Sequence, residues 1–123
     1  MSRKYEAIDL MKLYTHGSHK GWNEFLDQCL RFQNINALAK LRYQICAGMD
    51  DLAKAKLNDD KMDIWFTRLT RSIEQTAKKI IKLRHPMPGD GIVAGTEFDV
   101  AKYKLAKQKR DAELQKFLKD SSY

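Results

Sequence analysis

Two apolar seams at helical spacing, separated by a short polar turn, constrain this chain more than anything else in its 123 residues. In the first, Leu38, Leu41, Ile45, Gly48, Leu52 and Ala55 recur at alternating intervals of three and four. That period belongs to one face of an α-helix and not to a strand, whose faces alternate every second residue. In the second, Met62, Trp65, Phe66, Leu69, Ile73, Thr76 and Ile80 make a matching row of bulkier groups. The turn between them, Leu57-Asn58-Asp59-Asp60, is too short to carry the chain to a distant element. Connections of a few residues join antiparallel neighbours, so residues 36 to 85 are expected to fold as a long helical hairpin. Asp59 and Asp60 stand where a helix start offers free N–H groups and the positive end of its dipole. Large residues opposite Gly48 and Ala55 imply close, interdigitated packing of the two helices.

The rest of the chain extends this plan. Residues 3 to 15 form an expected first helix with Tyr5, Ile8, Met11 and Tyr14 along one side. It ends at Thr15-His16-Gly17-Ser18, where Gly17 suits a left-handed helix terminus and Ser18 the next cap. A second helix over about 19 to 33 turns Trp22, Phe25, Leu26, Cys29 and Phe32 inward, and Asn36 is the expected cap of the hairpin. His85-Pro86-Met87-Pro88-Gly89-Asp90-Gly91 is a loop, because proline cannot continue a helix and restricts the residue before it. Ile92-Val93-Ala94 has the composition of a brief strand that has nothing to pair with unless subunits meet. Thr96 and Asp99 have the spacing of a capping box and open a last helix that runs to about 119. With only two prolines and 43% hydrophobic residues, the class expected is all-α: a small helical bundle on a long antiparallel hairpin. Residues 1–95 would be the bundle with its loop, and 96–123 a C-terminal helical arm.

No apolar run approaches the roughly 20 residues of a membrane span, and the first residues lack the apolar core of an export signal. Cys29 and Cys46 are too few for a disulfide framework and read as free thiols in a reducing cytoplasm.

Charge gives the functional reading. The net charge is +7, and it is uneven: residues 61–85 hold seven basic and two acidic groups, against nine and eight in 1–60 and seven and six in 86–123. Arg71, Lys78 and Lys82 fall in a narrow sector opposite the Leu69/Ile73/Ile80 seam, flanked by Arg68 and Lys79, with Arg84 at the end. At 1.5 Å per residue, Arg68 to Lys82 extends about 21 Å, the length of several phosphates along a nucleic-acid backbone. Such a ridge either contacts a polyanion or an acidic protein, or is a solvated basic face. Glu74 is the one acid nearby, four residues before Lys78 and so at stabilising ion-pair spacing. A second cluster, Lys102, Lys104, Lys107, Lys109 and Arg110, alternates with acids and is weaker as a clamp.

The last helix has apolar groups on two sides. Phe98, Ala101, Leu105 and Ala112 share one; Val100, Tyr103, Leu114, Phe117 and Leu118 project from the other. Either the helix wraps its own hairpin, or it is an arm with Tyr103, Leu114, Phe117 and Leu118 on a neighbouring molecule. Tyr43 lies away from its helix seam, where an aromatic ring stacks on a base, meets a protein or packs under the first helices.

Catalytic signals are weak. His16 and His19 straddle a turn without a companion ligand pair, so no metal or other cofactor is expected. Asp50, Asp51, Asp59 and Asp60 read as capping and salt-pairing groups near Lys54, and Gly89-Asp90-Gly91 as a turn. The layout of two short helices, a long hairpin, a loop and a helical tail is similar to that of viral small terminase subunits, which implies a ring that holds DNA. The expected function is a non-enzymatic, homo-oligomeric protein binding DNA or RNA through Arg68, Arg71, Lys78, Lys79, Lys82 and Arg84. Lys102, Lys107 and Arg110 would assist. The alternative is an assembly factor or inhibitor that docks an acidic protein partner through the C-terminal helix.

Overall fold

The computed structural model describes residues 5–16, 19–86 and 100–123. Five α-helices lie among them: α1 Leu10–His16, α2 His19–Arg31, α3 Ile35–Lys54, α4 Asp60–Arg84 and α5 Val100–Asp120. No strand occurs among the described residues, and the all-α class holds. Gly17, Ser18, Ile92-Val93-Ala94, Thr96, Phe98 and Asp99 lie outside the described residues, as do the loop residues after Pro86 and the side chains of His16, His19 and Val100.

α3 and α4 pack on each other more extensively than any other pair of these helices. Arg42 of α3 bonds Glu74 of α4, and Gln33 in the turn before α3 bonds Arg84 at the end of α4, so the contacts join residues at similar distances from the connection at 55–59. The core between and around them holds Leu38 and Ile45 from α3 and Phe66, Ile73 and Ile80 from α4, all fully buried. Each such side chain contributes about 1.5–3 kcal/mol on burial, whereas an exposed helix ion pair contributes about 0.2–0.5 kcal/mol. The apolar stripe therefore sets the rotation of α4, and its charged residues take whatever sector is left. α2 adds Leu26 and Cys29 to this core, α1 adds Leu10, and α5 lies across α3 and α4 and adds Phe117.

The helix ends explain where the expected boundaries move. α4 starts as the sequence implies: Asp59 Oδ1 accepts from the Met62 N–H at 2.8 Å, with Asp60 and Asp63 in the first turn. α3 is capped by Asn34 and not Asn36; the Asn34 Oδ1 accepts from Ala37 N–H at 3.1 Å. α2 and α3 both end through a residue with positive φ that is not glycine, Gln33 at 50° and Lys56 at 56°. Beyond each, an N–H reaches back to a carbonyl five residues earlier: Asn34 to Cys29 at 2.8 Å and Leu57 to Leu52 at 2.9 Å. These are Schellman closures without the usual glycine, so composition gave no warning of them. The turn after Arg31 also leaves Phe32, expected inward, 75% exposed, and Ala55 outside the seam.

α1 is shorter than expected. It begins at Leu10 rather than residue 3, with Asp9 Oδ1 accepting from Lys12 N–H at 3.1 Å, and residues 5–9 approach it without helical structure. That segment, and not a bulky residue of α4, is what Gly48 accommodates. A Cβ placed on Gly48 would lie 2.7 Å from Leu10 Cγ and 2.9 Å from the Ile8 carbonyl oxygen. Alanine would gain about 0.8–1.0 kcal/mol of helix propensity but must displace a backbone carbonyl, and overpacking costs typically 1–3 kcal/mol. Gly48→Ala is therefore expected to be net destabilising by about 1 kcal/mol in urea unfolding, and to raise hydrogen exchange first at residues 8–10. Increased stability would show that the approach of this segment to α3 is not tight.

Candidate functional site

Arg68, Arg71, Lys78, Lys79 and Lys82 are all exposed on α4. Among the described residues, none of the five forms an ion pair or a side-chain hydrogen bond. Glu74, expected beside Lys78, is turned away from the ridge: its Oε1 accepts from Arg42 Nε at 3.0 Å and lies 2.8 Å from Arg42 Nη2. The ridge consequently keeps its cations without a neutralising carboxylate. They occupy the sector left open when Met62, Phe66, Leu69, Ile73, Ala77 and Ile80 face the core.

Arg84 does not belong to this ridge. It follows Lys82 by two residues, hence roughly 200° round the helix, and lies in the angular sector of the seam four residues after Ile80, exposed at the helix end. Its Nη2 donates to the Gln33 carbonyl at 2.7 Å, and Nη1 lies 3.5 Å from Glu113 Oε1. Arg110 is likewise engaged: its Nε donates to the His85 carbonyl at 2.8 Å and its Nη2 to that of Lys82 at 3.5 Å. A guanidinium there satisfies carbonyls at the C-terminal end of α4 and meets the negative end of its dipole. The spacing to Ile80 signalled Arg84's position; nothing in the sequence signalled that of Arg110. Lys102 and Lys107 are exposed on α5.

The two sides of α5 separate cleanly. Phe117 is 3% exposed, Leu118 packs against the same core, and Tyr103 and Leu114 are half-buried. The side expected to meet a partner is turned onto α3 and α4, while Ala101, Leu105 and Ala112 are exposed.

Sequence reading missed the junction that fixes the end of α5. Besides Glu74, Arg42 bonds Ser121: its Nη1 donates to the Ser121 carbonyl at 3.1 Å and to the Oγ at 3.0 Å. One guanidinium thus ties α3 to α4 and to the residue after α5. Tyr43 lies buried beside it, with the rings of Tyr5 at 5.2 Å and Tyr123 at 5.8 Å in edge contact. Both cysteines are free, and burial pushes each thiol up from its ordinary value; at Cys46 Arg42 pulls the other way and Glu74 adds to the rise.

At the outer edge of this junction the Tyr123 hydroxyl donates to Asp50 Oδ2 at 3.0 Å, and Lys54 Nζ lies 2.9 Å from the same oxygen. Bonding from Lys54 first and Tyr123 second holds the Asp50 carboxyl below its ordinary value. A depressed carboxyl favours the fold above its unfolded-state pKa, and the contribution fades as pH falls through the folded-state value. Tyr123→Phe is expected to move the Asp50 midpoint part of the way back up in a carboxyl NMR titration, because Lys54 remains. An unmoved midpoint would mean the hydroxyl does not hold that carboxylate in solution.

Comparison of the chain with protein-family models, with curated proteins and with solved structures returns no match.

Proposed function

We propose that this chain binds nucleic acid, without enzymatic chemistry, through the α4 ridge of Arg68, Arg71, Lys78, Lys79 and Lys82. The observation that carries the reading is five exposed cations on one helix with no ion-pair partner among the described residues. Cations kept along a line of about 21 Å repel one another and lower helix stability slightly, and a row of phosphates relieves that repulsion. Neutralising phosphates releases condensed counterions, so affinity is electrostatic, falls steeply with salt and carries little sequence information. In this reading α3 and α4 are an antiparallel hairpin that presents the ridge, Lys102 and Lys107 of α5 assist, and Arg84 and Arg110 are structural. A homo-oligomer would multiply the ridge into avid binding. The inward side of α5 gives no support to docking a protein partner through Tyr103, Leu114, Phe117 and Leu118.

The test is fluorescence anisotropy with labelled duplex DNA, single-stranded DNA and RNA at low and moderate salt, with oligomer mass recorded in the same buffers. Micromolar or tighter binding that weakens steeply with salt is expected. Absence of binding to all three polymers at low salt would leave the ridge a solvated or protein-facing surface.

A further inference from the structure

We infer that the α4 ridge takes a double-stranded nucleic acid, holding it by its phosphates without stacking on bases. This rests on the reading of the ridge as a polyanion site and names the polymer.

Access comes first: α4 contacts α2, α3 and α5, so only its open sector can reach the nucleic acid. That sector carries cations, which suit the phosphates that a duplex presents in continuous rows.

That sector also lacks stacking groups. Single strands are held without sequence preference by rows of aromatic rings on which successive bases stack. The other exposed residues of α4 in or beside that sector are Asp60, Lys61, Ile64, Thr67, Gln75 and Leu83, none of them aromatic. Tyr43 lies between Tyr5 and Tyr123, and Tyr14 lies against Trp65 and Phe66. Among the described residues the exposed aromatics are Phe32 just after α2, Tyr123 and Tyr14, none of them on α4, so no row of rings accompanies the cations.

Stiffness favours duplex as well. α4 runs 25 residues without a cis peptide or a positive φ, so its cations are carried on one continuous helix. A flexible single strand must be straightened to follow it, whereas duplex with a persistence length of about 150 base pairs is already straight on this scale.

The difference can be sized. With five phosphate contacts the logarithmic salt slope is about −4.5 on duplex and −3.5 on single strand, which at 0.1 M salt separates the two by about tenfold if nothing else contributes.

The experiment compares the full chain on 20-base-pair duplex DNA, duplex RNA, a single strand of the same length and the same strand with its bases removed, and repeats the series with Phe32→Ala. Expected are a duplex preference of at least about tenfold, equal affinity for the base-bearing and abasic strands, and no change with Phe32→Ala; the two duplexes then show whether B-form or A-form geometry fits better. Equal or tighter binding of the base-bearing single strand, or a loss of affinity on removing its bases, overturns the inference while leaving the ridge as a polyanion site. Failure to bind any of the four polymers overturns both.

Discussion

Replacing Arg71, Lys78 and Lys82 together with glutamine is expected to lower affinity for duplex nucleic acid about 500-fold at 0.1 M salt while leaving the fold intact. The figure follows from counterion release: three lost phosphate contacts remove about 2.7 from the logarithmic salt slope, hence about 2.7 powers of ten one decade below 1 M. The slope itself should become shallower by about 2.7, the remainder being carried by Arg68 and Lys79 with Lys102 and Lys107 assisting. Stability should hardly move. All three side chains are exposed, and glutamine has nearly the helix propensity of lysine and arginine. Removing the like-charge pair Lys78 and Lys82, four residues apart, even favours the helix by a few tenths of a kcal/mol. Arg84→Gln is the contrasting control. Its guanidinium bonds the Gln33 carbonyl and approaches Glu113, so that variant should lose stability and keep its salt slope. Anisotropy titrations at several salt concentrations, beside thermal melts, distinguish the two. An unchanged slope in the triple variant would remove the ridge from any account of binding.

The contrast between those variants shows which part of the site was legible in sequence. Arg71, Lys78 and Lys82 could be placed together because their sector follows from helical period once the Leu69/Ile73/Ile80 seam is known, and the seam is strong. The same arithmetic puts Arg84 in the sector of the seam and off the ridge, against the impression left by its position at the end of a basic run. Glu74 was harder. Spacing offers it Lys78 at i+4, worth about 0.2–0.5 kcal/mol, but tertiary packing brings Arg42 to it from 32 residues away as a two-nitrogen contact. No local rule sees that partner. The helix starts and ends divide in the same way. Asp59 is a cap in sequence and in space, whereas α2 and α3 close through Gln33 and Lys56 in a conformation that glycine would have announced. Gly48 was read correctly as a point of close approach and wrongly as facing α4, since period gives the face of a helix but not what lies opposite it.

The second large effect is expected at Phe117, which had two readings in sequence: a contact with a neighbouring molecule or an internal anchor. In space it is 3% exposed in the core shared by α3, α4 and α5. Truncating a buried phenylalanine to alanine typically costs about 3–5 kcal/mol, transfer and cavity together. For a domain of this size that is a fall of roughly 10 °C or more in Tm. The loss should be independent of protein concentration, because the partners of the ring belong to the same chain; a lost intermolecular contact would instead make Tm depend on concentration. The cavity also loosens the end of α5, where Arg42 donates to the carbonyl and hydroxyl of Ser121, so the stability change should exceed that of Leu105→Ala on the exposed side. Urea and thermal unfolding of Phe117→Ala and Leu105→Ala at two concentrations tenfold apart decide the matter. A Phe117→Ala variant with unchanged unfolding but a smaller assembled mass would return this side of α5 to a neighbouring molecule. The expected result instead makes α5 part of the body that holds α4 and its ridge in place.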